Sequence, residues 1–211
     1  MKYVGICTSI AMHLACLVML SFLIGETLEA APGRREDLVH FEQGRALFEE
    51  HDDSGEALQE AENEFNQALK LNPKLAEAVA YLGFIASERN HLEAAEAAYR
   101  KALEIDGRSP EAHVGLAWLC QRSGKAAEAL NHLRKAAANG PNNRLVLYEL
   151  ATTLSNEFTN PTLSMCEESV NYWHTLIRLD RDARGAHQGL AGSYRQLGKW
   201  RDAELAVGAY A

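Results

Sequence analysis

The feature that most constrains this chain is a spacing of about 34 residues that recurs from Asp37 onward, the period of a two-helix repeat. In the clearest unit, Ala76 to Ser109, Leu82 and Gly83 fall in a first helix, and Ala95, Tyr99 and Ala102 in a second. The next, Pro110 to Asn143, returns Leu116, Ala117, Ala129, Leu133 and Ala136 at the same positions, with Pro141 closing its second helix. Upstream, Gly44 and Leu47 precede Ala61, Phe65, Ala68 and Pro73, separated by an insertion that contains His51-Asp52-Asp53-Ser54-Gly55. Downstream, Leu150 and Ala151 open a degenerate fourth unit that resumes, after an insertion around Asn156 to Pro161, with Ser169, Trp173 and Leu176. A fifth carries Leu190, Ala191, Tyr194, Gly198 and Ala203.

These residues, at this spacing, resemble the tetratricopeptide repeat family over residues 37–211. The resemblance implies an all-α fold, a right-handed α-solenoid of five helix-turn-helix repeats. The composition agrees: Ala, Leu and Glu dominate, only 5 prolines occur, and runs of β-branched residues are absent. Within each repeat, Gly83, Ala95 and Ala102 let helices approach while Leu82 and Tyr99 fill the spaces, and Leu116, Ala117, Ala129, Leu133 and Ala136 repeat the arrangement. Each repeat covers its neighbour's apolar face, so the apolar ending Leu205, Ala206, Val207, Ala209 and Tyr210 calls for either self-capping or a partner. Trp200, near the last turn, is expected to pack there.

Projected onto the inner face of such a superhelix, the first helices gather Phe41, Phe48, Phe84, Trp118, Leu145 and Tyr148, the expected partner-binding groove. The resemblance implies that this face holds extended peptides or helices. Ala80 and Phe84 stand where members that clamp acidic chaperone tails need lysine and asparagine types. An apolar or amphipathic segment, or a subunit of a membrane complex, is therefore the expected partner.

Ahead of the repeats, Val4 to Gly25 contains no Asp, Glu, Lys or Arg. Because about 20 apolar residues span a bilayer, residues 1–31 read as a signal peptide or a transmembrane signal anchor, with 32–36 as a linker. The small residues Ala30 and Ala31 leave cleavage open. Lys2 before the run places the body outside the cytosol, periplasmic in a bacterium, with the membrane reached through residues 4–25 if uncleaved. His13 reads as a neutral imidazole within this segment, and Cys16 as part of the apolar run rather than a lipidation site. Of the 4 cysteines only Cys120 and Cys166 lie in the body, too few for a disulfide framework, with a single bridge between them left open.

A formal net charge of −8 disfavours nucleic acid as a partner. His51, Asp52 and Asp53 read as a solvated loop rather than a metal site. With no phosphate loop, nucleophile elbow or Cys-x-x-Cys in the sequence, the expectation is no catalytic residue, no metal and no cofactor. The expected function is a non-catalytic protein-interaction scaffold or assembly factor for an envelope or membrane-associated complex. The alternative is a permanent structural subunit of a membrane assembly.

Overall fold

The computed structural model describes residues 32–50, 55–155, 161–181 and 183–209. Within them the chain forms ten α-helices: α1 (Pro32–Glu49), α2 (Glu56–Leu71), α3 (Ala76–Glu88), α4 (Leu92–Ile105), α5 (Pro110–Arg122), α6 (Ala126–Asn139), α7 (Arg144–Leu154), α8 (Leu163–Leu179), α9 (Arg184–Gln196) and α10 (Trp200–Gly208). Consecutive helices pair as five antiparallel hairpins, and each hairpin packs on the next, which is the all-α solenoid expected from the period. Residues 32–36, expected to be a linker, belong to α1. The 1–31 segment with His13, and His51 to Ser54, lie outside the described residues. No helix among the described residues is long and apolar enough to cross a membrane.

The hairpin angle is set by one repeated turn. Asn90, Gly124 and Gly198 follow the first helices of repeats 2, 3 and 5 at positive φ (60°, 72° and 71°). This left-handed conformation suits Gly and is tolerated by Asn. The next residue's N–H then reaches back five residues: His91 to the Ala86 carbonyl at 2.8 Å, Lys125 to Cys120 at 2.8 Å and Lys199 to Tyr194 at 2.9 Å. The first helices of repeats 3 and 4, α5 and α7, start on side-chain caps. Ser109 Oγ accepts from the Ala112 N–H, and Asn143 Oδ1 from the Val146 N–H.

Packing between repeats follows a knob-and-hole rule. Phe65, Tyr99, Leu133 and Trp173 occupy one position of successive second helices and are buried. Three of them meet a first-helix residue of the next repeat. A Cβ on Gly115 would fall on Cε1 and Cζ of Tyr99, and one on Gly189 would fall on the Trp173 indole. Phe65 stacks on Tyr81 with centroids 5.1 Å apart. Gly83 takes the other side of Tyr99, where a Cβ would lie 2.6 Å from Cε1. Ala95, Ala102, Ala117, Ala129 and Ala136 are inaccessible, which lets the backbones approach, and Leu82 and Leu116 pack at the core's edge. Cys120 and Cys166 are free thiols, and Cys166 Sγ donates to Gln196 Oε1.

Candidate partner-binding groove

First helices of successive repeats touch one another (α1 with α3, α3 with α5, α5 with α7, α7 with α9), forming one continuous wall. Along that wall one equivalent position holds Phe84, Trp118, Thr152 and Gly192 in repeats 2 to 5. The series runs from large to absent, so the wall is filled in the middle repeats and hollow toward the last.

At the N-terminal end is a cavity of about 730 Å³ walled by Phe41, Tyr81 and Leu145, with Glu77, Glu111 and Arg45 among its polar groups. Burial pushes the Tyr81 phenol up to about 12. Burial also raises the Glu111 carboxyl, reinforced by the charge of Glu77 and opposed by hydrogen bonds that include Asn143. That hydrogen bond, Asn143 Nδ2 to Glu111 Oε1, measures 2.9 Å. At the C-terminal end a second cavity, of about 660 Å³, lies between Tyr148, Trp173 and Trp200, with Thr152, Gly192 and Arg195 in its walls.

On the same wall Trp118 is half-buried, its ring 5.0 Å from that of Phe84. Its indole N–H reaches the Glu149 carboxylate, which lowers a pKa that burial raises. Tyr148 is 43 % exposed and sits edge-on to Trp173 at 5.4 Å.

Of the six residues assigned to the groove, Phe41, Leu145 and Tyr148 line these cavities, whereas Trp118 is a half-buried wall residue that lines neither. Phe48 is half-buried against Tyr81 and Phe84. Phe84 requires a correction: at 1 % exposure, enclosed by Phe48, Tyr81, Tyr99 and Trp118, it supports the groove from behind and offers no face to a ligand. Trp200 corrects the opposite way. It is 65 % exposed at the rim of the second cavity rather than packed in the last turn.

Sequence reasoning missed the buried carboxylates Glu111 and Glu149, which read as ordinary helix-surface charges, and the hollow at Thr152 and Gly192. Stacking the repeats column by column was the signal available for both. Among the described residues no three His, Cys, Asp or Glu side chains are grouped as a metal site.

A solenoid of helical hairpins with a walled groove is the class these coordinates define. A tetratricopeptide repeat family profile matches residues 86–151, the span of the most regular repeats. Anaphase-promoting complex subunit 3 of Schizosaccharomyces pombe is 28 % identical over 135 residues, 64 % of this chain. The chain spans only 19 % of that relative's length. In fold it is similar to Pseudomonas aeruginosa PilF (TM-score 0.63, 16 % identity, 85 % of this chain and 77 % of that one). It is also similar to PilW, a type IV pilus biogenesis factor (TM-score 0.60, 19 % identity, 82 % and 76 %). The match to the tetratricopeptide repeat family covers residues 86–151, and over the other described residues the likeness is one of fold.

Proposed function

We propose that this protein is a non-catalytic scaffold or assembly factor that holds a segment of a protein partner along its first-helix wall, in an envelope or membrane-associated complex. The observation that carries the reading is the first-helix wall itself: Phe41 and Leu145 line one cavity in it, Tyr148 and Thr152 line another, and the same wall carries the partly exposed ring of Trp118. Ligand sites are concave and mostly apolar with a few polar groups, and aromatic anchors dominate binding energy. The relatives' names, a subunit of a large complex and a pilus biogenesis factor, are consistent with work in assemblies. The apolar run at residues 4–25 supports attachment to, or export across, a membrane, with residues 1–31 as the targeting unit and the repeats following.

The test is to recover the partner by affinity purification from native membrane and measure its affinity calorimetrically. Trp118→Ala should weaken binding at least roughly thirtyfold, since truncating a buried interface tryptophan costs about 2 kcal/mol or more. Glu93→Gln, on the exposed side of α4, serves as the control. Because Trp118 also packs on Phe84, circular dichroism must first show that the variant is folded. Unchanged affinity in a folded Trp118→Ala would move the functional surface off this wall.

A second reading, a permanent subunit of a membrane assembly, is favoured by the C-terminal edge. There Leu205 is 64 % exposed, beside a cavity of about 300 Å³ that includes Ile177, Leu190 and Tyr194. Self-association of the isolated repeats, suppressed by Leu205→Lys, would support it over a transient adaptor.

A further inference from the structure

The two ends of the groove carry opposite unbalanced charge. In the N-terminal cavity neither guanidinium is uncommitted: Arg45 is paired with Glu42 and Glu49, and Arg144 with Asp180. What remains is Glu77 and Glu111, which occupy the same position in consecutive repeats and repel each other. Glu111 cannot swing away, because Asn143 and Ser109 hold its two oxygens. A carboxylate fixed in a partly desolvated wall beside a like charge is stabilised by an incoming ammonium or guanidinium. The same wall includes the partly exposed ring of Phe41.

In the C-terminal cavity the charge is reversed. Arg195, the one charged residue in this cavity's wall, makes no ion pair among the described residues. The Oγ1 of Thr152, buried in the same wall, has no hydrogen-bond partner. The hollow between them has no packing explanation. A Cβ on Gly192 would meet nothing within 4 Å, and glycine inside a helix costs about 0.5–1 kcal/mol relative to alanine. Trp173, Tyr148 and the exposed Trp200 complete an apolar frame around one cation and one unused hydroxyl donor.

We propose that the groove binds its partner segment in one orientation, set by charge: a Lys or Arg side chain enters the cavity at Glu77 and Glu111, and an Asp, Glu or terminal carboxylate enters the cavity at Arg195 and Thr152. The inference rests on the groove reading above and deepens it, replacing a merely amphipathic ligand by a dipolar one.

The probe is a random peptide display library panned against the full chain, with the tightest peptide then synthesised and titrated by calorimetry. Selected peptides should carry a basic and an acidic residue on the same chain. Glu77→Gln should weaken the peptide about tenfold, as should Arg195→Gln, the loss of one charge pair across the interface. Both residues are exposed at the groove, so folding is spared, and circular dichroism checks it. Neutralising the peptide's basic residue should weaken binding to the wild type but not further weaken binding to Glu77→Gln/Glu111→Gln, a coupling that a structural disturbance would not produce. Selected peptides without charge preference, or charges that fail to couple, overturn the orientation and leave the groove standing. If no selected peptide loses affinity with Trp118→Ala, the groove reading and this inference fall together.

Discussion

Gly115→Ala tests the packing rule on which the stack depends. In an open helix this change stabilises by about 1 kcal/mol through helix propensity. Here the added methyl would land on the Tyr99 ring, which cannot retreat because Gly83 meets its other side, where a Cβ would already be 2.6 Å from Cε1. Overpacking a closed site costs about 1–3 kcal/mol, and the trapped ring puts this site at the upper end. The net expectation is a loss of about 2 kcal/mol, read as a lower urea midpoint by circular dichroism at an unchanged slope. Tyr99→Leu should be destabilising by itself, because it empties buried space. In the double variant, however, the ring on which the added methyl would land is gone. Gly115→Ala should then cost little further, giving a coupling of at least about 1 kcal/mol. Gly192→Ala is the internal control: with open space around it, it should gain up to about 1 kcal/mol. A stabilised Gly115→Ala, or strictly additive effects with Tyr99→Leu, would refute the knob-and-hole account.

Other outcomes follow from the same coordinates. Ala95→Leu and Ala129→Leu, both at fully buried contacts, should each destabilise by about 1–3 kcal/mol, whereas Glu93→Gln should stay within about 0.5 kcal/mol; equal losses in denaturant titration would disprove the register. His113 and His132 bring their Nδ1 atoms to 3.2 Å, and burial lowers both pKa values, with the neighbouring charges of His132 and Lys135 adding to the shift at His113. The unfolded chain therefore takes up protons first, and stability should fall as pH drops through the unfolded value of about 6.5. His132→Gln should flatten that decline in urea midpoints, and an identical pH profile would contradict the assignment. Residues 32–211 alone should remain soluble and strongly helical, since the cores draw on repeat residues; loss of the helical circular dichroism would make residues 1–31 part of the fold.

The period made the hairpins legible because it is written in residues with a single use. Ala95 and Ala129 are where helices touch, and Asn90, Gly124 and Gly198 are where the chain must turn with positive φ. The groove was legible only in part. An aromatic in a first helix faces either the ligand or the preceding repeat, and a few degrees of helix rotation decide which: Tyr148 faces out, while Phe84 is walled in by four rings. Charges mislead for a related reason. Glu111 and Glu149 have the composition of a solvated surface, yet the curvature of the stack brings their helices side by side and takes water from them. The hollow at Gly192 was hardest to foresee, because an absent side chain leaves no mark in a hydrophobic pattern.

The central claim, that the first-helix wall is the surface that meets the partner, is tested most directly by photo-crosslinking in the native cell. A photoreactive phenylalanine analogue would replace Tyr148 in the groove or, as comparison, the solvent-exposed Arg100 on the second helix of repeat 2. The account predicts one discrete adduct from position 148, lost when Trp118→Ala is added, and none from position 100. Adducts from position 100 alone, or adducts at 148 that persist in a folded Trp118→Ala chain, would contradict it.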